Sequence, residues 1–361
     1  MSRATLSSNW IAESAASDPR RGRAQRLAEA LEQCGLLRPL KLLHDRRRTG
    51  LTVLAYHRVV PFDAESAYPL DVELISATPE GFAWQMDYIR HNMNPVSLGQ
   101  VLERLDTGEP LPPNAVAVTF DDGFNDTYSR AFPILRRHAI PATVFVTTGY
   151  VDSREPFWFE LVAQIVMRVA PRSISLPESP RAFPRGTSQT QRRRCLQTLL
   201  GILKELPNER RTELLGEWRE RFAPMIDPSI TNLSRPLNWH EILEMSGAGI
   251  EFGAHTVTHP NLTTVKDEEL AWELAESKRV LEERLGRSIR TLAYPIGTHS
   301  AYDDRVMEAA RRCGFGLAAS YVSGANWQSQ LPTFELHRQH IGLHCTPSYF
   351  RALVNLPGWL A

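Results

Sequence analysis

Two short motifs in this chain carry side chains that could do metal chemistry. Asp121 and Asp122 are adjacent in Thr-Phe-Asp-Asp-Gly, and His255 and His259 are four residues apart in His-Thr-Val-Thr-His. Adjacent carboxylates repel each other, so a buried pair requires a proton or a cation nearby. One carboxylate and two neutral imidazoles form the three-ligand set of a catalytic metal, which leaves positions for water and substrate. The spacing therefore predicts a site for one divalent ion, and zinc, cobalt, nickel or manganese would suit it.

A simple turn and a zinc protease fit the two motifs less well. Asp-Gly can close a hairpin, but a hairpin requires an alternating strand afterwards, and residues 124–130 lead into a helix instead. A zinc protease carries Glu after the first histidine, on a helix. Here Thr256 follows His255 and Pro260 follows His259, which indicates a loop after a strand.

The elements that must position these motifs alternate between short apolar strands and amphipathic helices. Strands are predicted at residues 51–57, 115–120, 142–146, 250–253, 291–294 and 315–318. About seven strands in this alternation predict an α/β fold with a mainly parallel sheet, and the number favours a barrel. Both motifs follow a strand, so they lie at the carboxyl rim, where α/β proteins build their active sites.

The helices between these strands are predicted from apolar periodicity. Thr78-Pro79 caps a helix that carries Phe82, Met86 and Ile89, and another helix runs from about Thr127 to His138. A long helical stretch carries Leu270, Leu274, Leu281 and Leu285, and a further helix ends near Cys313.

Two segments stand apart from the alternation. Residues 1–49 are predicted to be a basic, partly helical extension, because the first 50 residues hold ten Lys or Arg against five Asp or Glu, and residues 24–36 have apolar residues at near-helical spacing. A solvated tail is the favoured interpretation, and weak contact with an anionic membrane or an acidic protein surface is the alternative.

Residues 154–236 are Pro-rich and Arg-rich with helical stretches around 157–169 and 190–222, which indicates an insertion in a domain spanning 50–361. The insertion either shapes a substrate cleft or decorates the surface.

Together the motifs resemble a known family. Thr-Phe-Asp-Asp-Gly, His-Thr-x-x-His and then Tyr294-Pro295-Ile296-Gly297 are similar to the motifs of polysaccharide deacetylases of the NodB-homology group, carbohydrate esterase family 4. The resemblance covers roughly residues 50–345 apart from the insertion, and it implies a distorted (β/α)7 barrel with a mainly helical insertion.

The resemblance also implies a role for each matching residue. Asp121 would be the general base, and Asp122, His255 and His259 would hold one divalent metal ion, with zinc expected. Tyr294, Pro295 and Ile296 would contribute to the substrate and oxyanion site, where Ile296 offers a backbone donor. The activity implied is removal of an N-acetyl group from a polysaccharide, oligosaccharide or glycan intermediate, with release of acetate.

The chain departs from the family pattern at two places. The family's third motif is Arg-x-Pro-Tyr, whose Arg orients the base, and Ala293 stands in the Arg position here. The family's last motif is Leu-x-His, which supplies a general acid, and no Leu-x-His follows residue 300, although His337, His340 and His344 lie in that region. His57, at the end of the first strand, is the candidate for a catalytic role, with a structural histidine as the alternative.

The aromatic residues near the expected pocket are predicted to pack in the interior rather than to stack on sugar rings. Trp158, Trp239 and Trp327 could stack on sugar rings, but most tryptophans in a domain of this size pack in the interior.

Composition excludes several other functions. The 41 Lys and Arg balance 41 Asp and Glu, so no global basic field indicates nucleic acid as a partner. No run of about 18 apolar residues and no secretory leader is visible, so a cytoplasmic location without a transmembrane segment is expected. The four cysteines are scattered without C-x-x-C spacing, which argues against a zinc ribbon or a disulfide framework.

The predicted function is therefore a metal-dependent carbohydrate N-deacetylase acting on an acetylated carbohydrate. Three alternatives stay open: an O-deacetylase, a small-molecule amidase, and a catalytically impaired barrel that binds carbohydrate without hydrolysing it. The missing Arg and the unassigned acid are what motivate the last one. No motif indicates which sugar is bound.

Overall fold

The structure, a computed structural model, describes residues 22–37, 39–40, 50–153, 155–169, 174, 176, 187–327 and 331–358. Residues 1–21 and the Arg-rich segment 46–48 of the predicted basic extension lie outside these residues.

The described chain folds into eleven strands and twelve α-helices. The strands are β1 (Gly50–Tyr56), β2 (Arg58–Val59), β3 (Ile75–Ala77), β4 (Asn94–Pro95), β5 (Ala115–Phe120), β6 (Ala142–Val146), β7 (Glu251–Ala254), β8 (Thr291–Ala293), β9 (Leu317–Ala319), β10 (Asn326–Trp327) and β11 (Gln339–His340). The helices are α1 (Arg23–Gln33), α2 (Pro79–Asn92), α3 (Leu98–Thr107), α4 (Phe132–His138), α5 (Trp158–Arg168), α6 (Gln189–Glu205), α7 (Asn208–Arg221), α8 (Pro228–Leu233), α9 (Trp239–Gly247), α10 (Asp267–Leu285), α11 (Asp304–Arg312) and α12 (Pro347–Asn355).

Seven parallel strand segments form the barrel. β1, β5, β6, β7, β8 and β9 lie side by side in that order and run parallel. The seventh segment contains β11, which pairs in parallel with β1, while Leu336 in the same segment bridges to Ala319 of β9. This segment therefore joins the two edges of the sheet, and the expected distorted (β/α)7 barrel is confirmed.

The strands form because they are buried on both faces. All six residues of β5 and all five of β6 are buried, as expected of parallel strands covered by helices. The largest apolar cluster lies between the sheet and its helices, where the α10 residues Leu270, Leu274 and Leu281 pack inward. This packing gives the carboxyl ends of the strands a rigid support.

Helix ends follow the local sequence signals. The Thr78 hydroxyl accepts a hydrogen bond from Gly81 N at 3.1 Å, and Pro79 follows it, so α2 begins where the cap was predicted. The predicted helix over residues 127–138 is present, although its first turn, Thr127–Ala131, is π-helical.

The insertion is largely helical and has its own apolar core. Residues from α5, α6, α7 and α8 form this second core together with Leu70 and Phe124 of the barrel loops. The helical stretch predicted over 190–222 is interrupted by Pro207, which lacks the amide proton that a continuous helix requires. Arg193 of α6 donates to the carbonyl oxygens of Glu65, Tyr68 and Leu70, so the insertion is tied to the loop that follows β2.

The predicted amphipathic helix near the N-terminus forms and packs against the end of the chain. α1 contacts α12 through Ala28 and Ala352, and Gln25 Nε2 donates to His344 O at 2.7 Å. Arg351 pairs with Glu32 across the same contact. Among the residues described, no helix is both long enough and apolar enough to cross a membrane.

Candidate metal centre and active site

The Asp121–Asp122 pair lies in a tight turn directly after β5. Asp121 N donates to Tyr56 O at 3.0 Å, which continues the pairing with β1, and Gly123 N then donates back to Asp121 O at 2.8 Å. Asp122 has a left-handed φ of 70° and Gly123 a φ of 86°. A non-glycine residue in this conformation is uncommon, and such residues cluster at functional sites. The turn carries both carboxylates to the carboxyl rim, where each is only 2% exposed.

The two histidines lie in the loop after β7, at the same rim. His255 N donates to Val146 O at 3.0 Å, so the first histidine still continues the strand pairing with β6. Thr256 and His259 have left-handed φ values of 66° and 59°, and His259 N donates to Thr256 Oγ1 at 3.1 Å. These two turns bring both imidazoles to the same side of the loop.

Asp122, His255 and His259 converge on one point, as the spacing predicted. Asp122 Oδ1 lies 3.4 Å from His255 Nε2 and 3.2 Å from His259 Nε2. One ligand atom from each residue lies within 4.8 Å of the others, and all three residues are buried. In the described part of the chain this is the one group of His, Cys, Asp and Glu with such an arrangement.

The carboxylates favour positive charge at this point: burial alone would lower the pKa of His255, but its hydrogen bond with Asp122 and the charges of Asp121 and Asp122 raise it. Burial lowers the pKa of His259 to about 4, so its imidazole is neutral at pH 7. Burial alone would raise the pKa of Asp122, but hydrogen bonds with His255 and His259 hold it well below its usual range. His255 Nδ1 lies 2.8 Å from Ala293 O, and if that nitrogen carries the proton, Nε2 is left as the electron-pair donor. Two imidazoles and a carboxylate in a buried site are the donor set of a zinc-like ion, so the residues fit one divalent metal.

Asp121 is held by an arginine that lies outside the sequence motifs. Arg338 Nη1 and Nη2 donate to the two carboxylate oxygens of Asp121, each at 2.7 Å. The Arg338 Nε group donates to Ser320 O at 2.7 Å, and the side chains of Asp121 and Arg338 are at most 3% exposed. Burial alone would raise the pKa of Asp121, but Arg338, with smaller contributions from His255 and His57, holds it below its usual value.

The arginine that the third motif lacks has a counterpart elsewhere in the chain. The family's arginine precedes the proline of the third motif, where this chain has Ala293, but Arg338 supplies the guanidinium from the seventh barrel segment instead. A bidentate pair fixes the plane of the carboxylate and leaves a second lone pair on each oxygen. The sequence signal for Arg338 is its position beside His337, in the region where the family carries its last motif.

His57 lies at the carboxyl end of β1 and is half-buried. Its backbone N donates to Ser76 Oγ at 2.8 Å, and its ring packs edge-on against Tyr321, with 5.3 Å between centroids. The Arg338 guanidinium, which holds Asp121, lies 5.6 Å from the centroid of the same Tyr321 ring. The structure therefore brings the predicted His57 to the same pocket.

The three histidines near the chain end differ in position. The His340 ring lies 5.0 Å from that of Tyr321, and burial, with the charges of His57 and Arg338, lowers the pKa of His340 to about 4. His337 packs against Gly324, and the carbonyl oxygen of His344 accepts a hydrogen bond from α1. Of these three, His340 is the one near the pocket.

The third motif contributes a turn rather than a side chain. Tyr294 is 1% exposed and its hydroxyl donates to Phe334 O at 3.0 Å, so the Tyr294 side chain belongs to the barrel wall. After Pro295, Ile296 has a left-handed φ of 66°, and Gly297 N donates to Pro295 O at 2.6 Å. Within the described residues the Ile296 N–H has no acceptor, so this backbone group is available to a substrate.

The insertion forms a wall beside the metal ligands. The Trp158 indole donates to His259 O at 3.1 Å, and the Phe159 ring lies 5.2 Å from the His259 ring. Trp158 is thus a packing residue. Lys204 of α6 is half-buried; burial lowers its pKa, and the charges of Asp71 and Asp122 oppose that shift. Of the two roles left open for the insertion, these contacts favour shaping the cleft.

Known proteins share this fold and part of this sequence. Residues 108–318 match the family model described as polysaccharide deacetylase. The poly-beta-1,6-N-acetyl-D-glucosamine N-deacetylase of Escherichia coli K12 is 37% identical over 105 residues, which are 29% of this chain and 15% of that relative. The Streptococcus pyogenes deacetylase PplD in complex with acetate matches 84% of this chain and 96% of its own, with a TM-score of 0.56 and 19% identity. IcaB from Ammonifex degensii matches 85% of this chain and 96% of its own, with a TM-score of 0.52 and 21% identity.

These matches bear differently on the fold and on the site. The two solved structures show the shared fold. The family match contains Asp121, Asp122, His255 and His259 but begins after His57 and ends before Arg338. The chain aligns with only a small part of the curated Escherichia coli relative.

Proposed function

The chain belongs to the polysaccharide deacetylase family, and we propose that it is a metal-dependent hydrolase that removes N-acetyl groups from a carbohydrate and releases acetate. One observation carries the proposal. Asp121 and Asp122 are adjacent and equally buried, yet Asp121 faces a guanidinium and Asp122 faces two imidazoles. Neighbouring carboxylates in different environments have different roles in catalysis.

The metal ligands are Asp122, His255 and His259. A divalent ion bound there, for which we propose Zn²⁺, would act as a Lewis acid that lowers the pKa of water and polarises the acetamide carbonyl. Their Nε2 and Oδ1 atoms supply two neutral ligands and one anionic ligand, which leaves a net positive charge to stabilise negative charge developing in the transition state.

Asp121 is the general base. Its low pKa keeps it ionised at neutral pH, and Arg338 holds the plane of its carboxylate, so it can accept the proton of the water that attacks the carbonyl carbon. The Ile296 N–H stabilises the negative charge that develops on the carbonyl oxygen.

His57 is proposed as the general acid. The bond between the carbonyl carbon and nitrogen breaks only when the nitrogen gains a proton, and an imidazolium near the carboxylate pair can supply it. The products are acetate and a free amine on the sugar. His340 is less suited to this role, since its pKa of about 4 leaves it uncharged at neutral pH.

We propose a polymer of N-acetylglucosamine as the substrate class. The support is the relative from Escherichia coli, whose name gives β-1,6-linked N-acetylglucosamine, and its aligned region is 37% identical to this chain. An amide substrate also suits a site with a base, a proposed acid and a metal, because an amine leaves with more difficulty than an alcohol and needs protonation.

Acetate release tests the proposal. Purified protein loaded with Zn²⁺ would be incubated with β-1,6-linked N-acetylglucosamine oligomers, with an O-acetylated glycan and with a small acyclic acetamide. We expect acetate from the oligomers, loss of activity with a chelator, and recovery on addition of Zn²⁺. Asp121→Asn should abolish turnover, whereas Asp106→Asn, which alters an exposed carboxylate paired with Arg290, should not.

Two results from the same substrate panel would contradict the proposed activity. Acetate from the O-acetylated glycan alone would make the protein an esterase. Tight binding of the oligomers without acetate release, in protein shown to hold metal, would mean a carbohydrate-binding barrel and would overturn the proposed activity.

A further inference from the structure

The segment between the two metal-binding histidines is held in a conformation that most residues avoid. Thr256 and His259 both have left-handed φ values, and neither is glycine. Such a conformation is unfavourable for residues other than glycine and persists only where the surroundings impose it. The contacts of residues 256–258 therefore decide where the two imidazoles point.

Glu273 of α10 accepts the amide protons of this segment. Its Oε2 atom accepts hydrogen bonds from Val257 N at 2.6 Å and from Thr258 N at 3.0 Å, and its Oε1 atom accepts one from the Thr258 hydroxyl. Glu273 is 0% exposed. These three hydrogen bonds to two consecutive residues fix the middle of the segment between His255 and His259.

The opposite face of the segment is held by its carbonyl groups. Thr148 N donates to Thr256 O at 3.0 Å and Gly149 N donates to Val257 O at 2.9 Å, both from the loop after β6. Gly149 is required there, because a Cβ on it would lie 2.5 Å from Val257 O. The segment is thus clamped between Glu273 on one side and the β6 loop on the other.

We propose that Glu273 is a positioning residue of the metal centre, which fixes residues 256–258 so that His255 and His259 converge on Asp122. This inference rests on the proposed metal site. Glu273 touches neither the ligands nor the reacting atoms and acts only through the backbone between the two histidines. Without its carboxylate, two buried N–H groups lose their acceptor, and the left-handed residues are free to relax to ordinary conformations.

Metal affinity, and not only activity, tests the role. Co²⁺ would be titrated into the full-length protein against a chelator of known affinity, with the absorption of bound Co²⁺ as a second readout. Replacing an outer partner of a metal ligand costs about 10–100-fold in metal affinity. We expect a loss of that size for Glu273→Leu, which keeps the volume but removes both acceptors, together with a changed Co²⁺ spectrum.

Two further variants separate positioning from general stability. Glu273→Gln keeps a carbonyl oxygen that can accept both amide protons, so it should restore most of the affinity lost in Glu273→Leu. Leu281→Ala opens a cavity under the same helix, at a residue that is 0% exposed, and lowers stability without touching the loop. Its Co²⁺ affinity should equal that of the wild type under conditions where all variants are folded.

The outcomes distinguish this inference from the proposed function. If the wild type binds Co²⁺ and the Co²⁺ affinity of Glu273→Leu is within about threefold of the wild-type value, Glu273 has no positioning role. An equal loss in Leu281→Ala would also overturn it, since helix packing would then explain the effect. If Glu273→Leu does not fold, Thr258→Val, which removes the hydroxyl bond alone, decides: weaker Co²⁺ binding supports the role and unchanged binding rejects it. A wild type that binds no Co²⁺ would instead overturn the metal site itself.

Discussion

Replacing Arg338 with methionine would remove the cation that holds Asp121 while keeping a side chain of similar length. The two hydrogen bonds are both 2.7 Å long, and both side chains are almost completely buried. A carboxylate beside a guanidinium has its pKa lowered by about 1–3 units, and each unit corresponds to about 1.4 kcal/mol. Loss of Arg338 should therefore raise the pKa of Asp121.

The sign of the effect follows from the proposed role of Asp121 as base. A base works only when deprotonated, and in the wild type Arg338 keeps the pKa of Asp121 low, so we expect activity to extend to acidic pH. Without Arg338 the pKa of Asp121 rises, and a larger fraction is protonated at any given pH. We expect the acidic limb of kcat/KM to move up by about 1–3 pH units in Arg338→Met. At neutral pH, kcat/KM should also fall by about 10–100-fold, because the carboxylate loses its orientation.

A pH profile of acetate release from pH 5 to 9 measures this effect. Arg338→Lys separates charge from geometry, since an ammonium keeps the charge but cannot form two parallel hydrogen bonds and reach Ser320 O as well. It should shift the acidic limb less than Arg338→Met does. Arg290→Met removes an exposed arginine from its pair with Asp106 and should leave the profile unchanged. A folded Arg338→Met protein with the wild-type acidic limb and kcat/KM within threefold of the wild type would refute the reasoning.

Three further predictions concern residues around the site. Burial raises the pKa of Glu160 to about 8 from a usual value of 4.5, so between these pH values the folded state holds a proton that the unfolded chain has lost. Stability from this group therefore falls by about 1.4 kcal/mol per pH unit across that window, and Glu160→Gln should remove this slope in denaturant unfolding at pH 5 to 8. Gly297 has a φ of 62° and a Cβ on it would lie 2.6 Å from Tyr321 N, so Gly297→Ala should lower kcat, whereas Gly249→Ala, also at positive φ but in open space, should not. Lys204→Met should raise KM by about fivefold, the effect of one lost hydrogen bond, with little change in kcat in steady-state assays, because α6 contacts the loop after His259 through Lys204 O and Asn261, and the charge of Lys204 interacts with Asp122.

Barrel strands were predictable where burial is continuous. β5 and β6 have the predicted bounds, because each apolar run ends where the polar residues of the carboxyl rim begin. β7 begins one residue later than expected, since Ile250 N is used to close α9 through Met245 O. β9 is also displaced, because Phe315 N bonds to Ala310 O at the end of α11. An apolar residue at a helix end looks like the start of a strand until its amide partner is known.

The segment that joins the two barrel edges was not predictable in the same way. β10 and β11 have two residues each, too few for a periodic pattern to appear. β11 exists because its backbone meets β1, whose partner residues lie almost 300 positions earlier in the chain. Nothing local to residues 336–341 specifies that pairing.

The candidate site likewise has a part that local sequence predicts and a part that only the folded barrel creates. Asp121 with Asp122, and His255 with His259, are pairs close in sequence, so residue type and spacing were enough to predict that Asp122 and the two imidazoles converge. Asp121 and Arg338 are separated by 217 positions, and only the closed barrel brings them together. Whether His57 acts as the acid stays a prediction.

The position of the arginine in the chain matters less than the position of its guanidinium. A base needs a planar cation that fixes its carboxylate, and any barrel strand whose side chain points inward at the right height can supply one. Here the guanidinium comes from the seventh segment rather than from the residue two before Pro295, and the contact with Asp121 is bidentate and fully buried. The lack of an arginine in the third motif is therefore not by itself a reason to expect an impaired site in this chain. The test is whether some buried arginine reaches both oxygens of the base, and in this protein Arg338 does.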